Sequence, residues 1–435
     1  MIIIILIISL PLIYIYQIFT ANIIKIDNNN TIIKEEEKNK TNKLIEEKTE
    51  NITEYKIPYL QDVYKIESFS SLKKSFNKAR KFLESNMNGT LLRKIPSEPI
   101  ENPIVSVVIP VYNSKHIITK AIRSIQNQNI NNTEIVLVND NSTDDTLSFI
   151  KELQKEDQRI KIISNQKNMG ILYTLCIGAL SAKGTYIFHL DNDDMFLDED
   201  VFQIITNIAE KGYFDIVEFK GIQLKKGDKD IFSNKYSDTA WANHPPNIVL
   251  YQPALGDYPT WPGKSLDYVH LESVYLWGKC IRTEIYQKAV NRLGIEKYSR
   301  YMLRYEDILM TYVIFNTARS YKFVGKYGVI NAYRKESSSG IKRSAETDLY
   351  CIYYLDVIID FVQDRVESKR ILVNLIMRLF SRKTSFEKAL NTSKEVYNLF
   401  ISSLDKVLKM TKISNKLKEE IRKKGKTLKF IDYPF

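Results

Sequence analysis

The chain has 435 residues, 44% hydrophobic and 26% charged, an ordinary globular composition with room for two domains or one large domain with appendages. Its formal net charge of +11 admits anionic partners, yet lysine is scattered and no basic stripe is interleaved with aromatics, which argues against nucleic acid. Cys176, Cys280 and Cys351 stand far apart without CxxC spacing, which excludes a disulfide framework or cysteine zinc site and leaves them as small buried hydrophobes.

Residues 1–24, "MIIIILIISLPLIYIYQIFTANII", carry no charged side chain. That is about the ~20 apolar residues needed to cross a bilayer as a helix. With no basic leader and no small-x-small cleavage site, an uncleaved transmembrane signal-anchor is expected, a cleaved signal being the alternative. Lys25 and Lys34 favour a cytoplasmic carboxyl part. Residues 25–100 read as a polar stem rich in Asn, Lys and Glu, closed by Pro96, Pro99 and Pro103.

An α/β pattern follows. "IVSVVIPVYN" is the nearly continuous apolar run of a strand covered on both faces. "SKHIITKAIRSIQNQ" has helical apolar spacing; "TEIVLVNDNSTDDT" is a second buried strand ending in a polar turn. A helix at "TLSFIKELQKE", a strand at "IKIISNQ", a helix at "ILYTLCIGALSAK" and a strand at "GTYIFHL" continue the alternation. Short connections imply βαβ units in a Rossmann-like, mainly parallel sheet flanked by helices. The compact α/β domain is expected over 101–343. A helical C-terminal region over 344–435 is expected from spacing such as "LYCIYYLDVIIDFVQ".

Ligands of such open sheets sit beyond the carboxyl ends of the strands. Asn113, Asp140 and Asp191 all fall there. Asp191, Asp193 and Asp194 are crowded directly after an apolar strand, where their mutual repulsion calls for a compensating cation. Side chains at i and i+2 of a strand point the same way, so Asp191-x-Asp193 suits Mg²⁺ or Mn²⁺, which take oxygen ligands and substrate phosphates. Capping of a helix near Asp198 would account for Asp193 and Asp194 but leaves Asp191 unexplained. His189, on the apolar strand, reads as a satisfied core residue. Trp277, in "YLWGKCIR", could stack on a sugar or pack in the core, and Lys279 could bind phosphate.

"VSVVIPVYN", "VNDNSTDDT", "NMG", "LDNDD" and "YED", followed by "YRKESSSGI", occur in that order, and together they resemble the inverting GT-A glycosyltransferases of the family-2 type. The resemblance implies a metal-dependent enzyme that moves a sugar from a nucleotide-sugar, usually a UDP-sugar, to an acceptor hydroxyl on a glycan, lipid or protein. It implies Asp191 and Asp193 as metal ligands, with Asp194 in support. It places Pro110, Tyr112 and Asn113, then Asp140, Asn168 and Gly170, around the nucleotide, and Arg334 at the diphosphate. Asp307 of the ED pair would be the catalytic base and Glu306 would bind acceptor or orient the loop; acidic residues at a helix start can also serve the helix dipole alone. His270 stands where some relatives have a further metal ligand. The chain departs from the pattern at Asn139 and Asn141, and at Leu175 and Cys176, where the family commonly has Arg-Asn.

Anchor, stem and a GT-A unit describe a single-pass type II membrane enzyme, and sequons at Asn29, Asn39 and Asn51 suit a Golgi-like lumen. Competing readings are a nucleotidyltransferase, which lacks its Gly-rich basic loop here, and an inactive, membrane-tethered GT-A module that binds glycans or partners.

Overall fold

The computed structural model describes residues 79–98, 100–223, 237–238, 249–251, 275–295, 306–331, 345–361, 366–410 and 413–434. The expected anchor over 1–24, most of the stem, His244, His270 and Arg334 lie outside these residues. Among the described residues no helix is long and apolar enough to cross a membrane.

The chain alternates β1 (Val105–Val111), α1 (Ile118–Gln126), β2 (Thr133–Asn139), α2 (Thr146–Glu156), β3 (Ile160–Ser164), α3 (Ile171–Ser181) and β4 (Tyr186–His189). β1 and β2 are buried at every position, because helices cover both faces of the sheet. Then come β5 (Met195–Phe196), α4 (Val201–Gly212), β6 (Ile216–Gln223), β7 (Ser237–Asp238), β8 (Val249–Tyr251), β9 (Lys279–Arg282) and α5 (Thr283–Leu293). α6 (Glu306–Phe315) and β10 (Ser320–Asn331) complete the sheet domain. Five helices follow: α7 (Ala345–Phe361), α8 (Val366–Ser381), α9 (Lys383–Leu390), α10 (Lys394–Lys409) and α11 (Asn415–Gly425).

The sheet runs β3-β2-β1-β4-β9-β6-β10-β5, with β7 on β6 and β8 on β10. Its first half is parallel, as expected: β1 pairs in parallel with both β2 and β4, and β2 with β3. The second half corrects the expectation of a mainly parallel sheet. β9 lies antiparallel between β4 and β6, and β5 is antiparallel to β10. β9 enters from the long segment after β8 rather than through a crossover helix, so nothing turns it parallel to its neighbours.

Alternation along the strands divides the core. Val107, Ile109, Phe188 and Val217 face the layer of α1, α2 and α4. Val108, Val138, Ile187, Ile216 and Ile281 face α3, α5 and α6, and the same apolar cluster continues through α7 to α11. Each fully buried aliphatic side chain contributes about 1.5–3 kcal/mol.

Candidate active site

Three strand ends meet at one edge of the sheet. Past β1, Tyr112 is 43% exposed and Asn113 takes a left-handed backbone at φ 47°. Asn113 Nδ2 donates to Thr143 Oγ1 at 3.2 Å, and its Oδ1 accepts from the Thr143 amide at 2.9 Å, locking the β1 loop to the β2 loop. Past β4, Asn192 Nδ2 donates to the Pro110 carbonyl at 3.2 Å and to Ser114 Oγ at 2.8 Å. Asn141 supplies the left-handed turn after β2 at φ 56°, a conformation asparagine tolerates well.

Asp140 is buried, and its work is local. Its Oδ1 accepts from Asn165 Nδ2 at 2.7 Å and from the Met169 amide at 2.8 Å; Oδ2 accepts from the Gly170 amide at 2.8 Å. The Asn168 side chain also accepts from Gly170, whose backbone at φ 86°, ψ 162° opens α3 in a region glycine alone enters cheaply. Asp140, Asn168 and Gly170 thus form one unit, with three of the roughly four acceptor positions of the carboxylate occupied.

The oxygens of Asp191, Asp193 and Asp194 lie within 4.8 Å of one another. An octahedral cation with ligands at about 2.1 Å sets opposite oxygens about 4.2 Å apart, so the trio suits one hard divalent ion. Asp194 is fully buried and accepts from Asn331 Nδ2 at 2.9 Å, while Asp191 is a third exposed and faces outward. His189 is not the satisfied core residue expected. Its Nε2 lies 3.2 Å from Asp191 Oδ1, and its buried Nδ1 has no hydrogen-bond partner. The i, i+2 spacing to Asp191 was the signal available in the sequence, since it puts both side chains on one face.

Glu306 and Asp307 open α6, Glu306 buried and Asp307 half-buried. Burial pushes the Asp307 carboxyl well above the usual carboxylate range, and the Glu306 and Asp191 carboxylates push the same way. His189 and Lys279 oppose that shift. The rise in Tyr275 to about 12, caused by burial and then by Asp307, places that phenol in the same neighbourhood.

Lys279 is not a phosphate ligand. It is 2% exposed in β9, donates to the Tyr275 carbonyl and lies 3.6 Å from Glu218 Oε1. Trp277 is likewise buried, stacked on Tyr275 at 4.8 Å and covering Gly221, so no sugar reaches its face. Leu175 and Cys176 are fully buried in α3, with Cys176 Sγ 3.7 Å from Met310 Sδ of α6. A basic side chain at either position would enter the core and not the site.

Residues 106–250 match the family model described as "Glycosyl transferase family 2". An "Uncharacterized glycosyltransferase" of Haemophilus influenzae is 38% identical over 138 residues, covering 29% of this chain and 43% of that protein. The "GalNAc(5)-diNAcBac-PP-undecaprenol beta-1,3-glucosyltransferase" of Campylobacter jejuni is 34% identical over 153 residues, covering 31% of this chain and 49% of its own. The chain spans about half the length of these curated relatives or less. The crystal structure of S. aureus TarS 1-349 in complex with UDP-GlcNAc superposes with a TM-score of 0.48 at 18% identity, over 74% of this chain and 87% of that one.

Proposed function

We propose that this chain, which carries a glycosyl transferase family 2 domain over residues 106–250, transfers a sugar from a nucleotide-sugar, a UDP-sugar first, to an acceptor hydroxyl with inversion. The observation that carries the reading is the gathering of the Asp191, Asp193 and Asp194 oxygens at the strand edge, with the raised carboxyl of Asp307 under the influence of Asp191.

Tyr112 presents an exposed ring on which a nucleobase can stack, for about 1–3 kcal/mol. Pro110 and Asn113 shape the loop beneath it, and the Asp140–Asn168–Gly170 unit closes the other side. Asp191 and Asp193 would hold Mn²⁺ or Mg²⁺, with Asp194 buttressing them through Asn331. Such an ion, when bound, would neutralise charge on the departing diphosphate. Arg334, outside the described residues, belongs to the same proposal as a diphosphate contact.

At the acceptor side, Asp307 takes the hydroxyl proton. The acceptor oxygen bonds to the anomeric carbon as the carbon–phosphate-oxygen bond breaks, and the bonding pair leaves with the nucleoside diphosphate. One in-line displacement inverts the anomeric centre. Glu306 orients the loop or the acceptor. The Campylobacter relative is named for a lipid-linked glycan, so that acceptor class is tried first.

Membrane attachment through residues 1–24 is part of the proposal, since that run is uncharged throughout. The Golgi placement is not. The relatives named here are bacterial, and Lys25 and Lys34 after the apolar run favour a cytoplasmic domain.

Calorimetric titration of UDP and GDP into the full chain, with and without Mn²⁺, tests the donor site against Asp191→Asn/Asp193→Asn. Metal-dependent UDP binding that disappears in the variant is the expected result. Absence of nucleotide binding under every condition would overturn the enzyme reading.

A further inference from the structure

Strand alternation places a row of buried polar side chains directly on the sheet face that α6 covers. Ile187, Ile281 and Ile216 belong to the α3–α5–α6 side, whereas Phe188, Cys280 and Val217 belong to the opposite one. Two residues on from Ile187 and Ile216, and two back from Ile281, stand His189, Glu218 and Lys279, which therefore share the α6 side. Glu218 and Lys279 are registered partners across β6 and β9. One step beyond the pair Phe188–Cys280 of β4 and β9 brings His189 alongside Lys279. Glu218 also accepts from Tyr321 Oη at 2.8 Å, and Lys279 donates to the Tyr275 carbonyl.

A lysine buried to 2% exposure in the middle of a sheet is costly to keep charged. Burial pulls its ammonium down, and the carboxylates of Glu218 and Asp307 hold it up. Glu218 alone would suffice as a partner if the pair were only a structural strut. Yet the groups acting on Asp307 come from every side: Glu306 on its own helix, Asp191 and His189 from β4 and the loop after it, and Lys279 from β9. Asp307 in turn acts on Tyr275 before β9 and on Tyr286 of α5. With Leu175 and Cys176 apolar, α3 adds no cation at its packed face.

We infer that Lys279 is a positioning residue for transfer: anchored by Glu218 and the Tyr275 carbonyl, its ammonium is the countercharge that keeps Asp307 an oriented carboxylate beside the acidic strand edge. The inference rests on the assignment of Asp307 as base. Glu218 is the clamp that holds the lysine in place, and Lys279 touches no substrate.

The test compares Lys279→Met, Glu218→Gln and the double variant in the full chain. A buried pair neutralised on both sides is tolerated far better than one broken on one side, so the double variant stays folded where Lys279→Met alone does not. In the double variant kcat is expected to fall roughly 10- to 100-fold with donor KM within about twofold, and the acid limb of the kcat profile moves to higher pH. A second readout needs no turnover. Asp307→Asn is introduced with and without the double change, and the pH at which it ceases to alter Tm is recorded. That midpoint is expected to rise when Lys279 is gone. Wild-type kcat in the double variant with an unmoved midpoint would show Lys279 to be only the partner of Glu218, overturning the inference. If the wild-type chain transfers nothing, the assignment of function fails, and the midpoint still decides whether Lys279 governs Asp307.

Discussion

Asp307 carries opposing demands at one atom pair. As a base it must be ionised, yet burial and the Glu306 and Asp191 carboxylates favour its protonated form. Its folded-state pKa lies above its unfolded one, so the stability it contributes is present at low pH and is lost as pH rises through the folded value. Asp307→Asn should therefore raise Tm at neutral pH, with the difference from wild type closing as the medium is acidified; scanning calorimetry in chelator across pH checks this. The same substitution should lower kcat by about 10²–10⁴-fold, the usual worth of a general base, as read by single-turnover sugar transfer. Transfer by the wild type should decline on the acid side for the same reason. At the other carboxylates, Asp194→Asn should weaken Mn²⁺-dependent nucleotide binding less than Asp191→Asn, because Asp194 is turned inward to Asn331 and Asp191 outward.

At the scale of elements, the start of α3 depends on one side chain two strands away. Asp140 holds the loop before α3 through Asn165, Met169 and Gly170. Asp140→Ala should cost about 2–4 kcal/mol in urea unfolding, since three donors lose a charged acceptor at a buried site. Gly170→Ala forces a β-carbon into φ 86°, ψ 162° and should cost about 1–3 kcal/mol by the same measurement. Both should weaken nucleotide binding, because the loop they hold flanks the Tyr112 platform. The N-x-G spacing was legible in the sequence; that Asp140 is its acceptor was not, because the two meet only once β2 and β3 pair in register. α6 is similar. Its acidic start and apolar body were plain, yet the environment of Asp307 is made by β9, β4 and α5, which the chain delivers from well before it.

Across the whole molecule, the face of the sheet below α3, α5 and α6 shares a continuous core with α7 to α11. Val313 and Phe315 of α6 lie in one apolar cluster with Tyr354, Leu372 and Phe400 of the C-terminal helices. Removing residues 345–435 should therefore leave an insoluble or molten chain, even though the family match ends at residue 250; limited proteolysis and near-ultraviolet circular dichroism would show it. Residues whose chemistry follows from local order were readable in the linear chain. The strand-end carboxylates, the left-handed asparagine and the parallel half of the sheet follow from period-two apolar runs and short crossovers, which depend only on neighbours in sequence. The antiparallel entry of β9, the burial of Lys279 and Trp277, and the contact of His189 with Asp191 were decided by the tertiary structure. Each depends on which face of a strand meets which helix, a matter of register across strands 60 to 90 residues apart that no local spacing encodes.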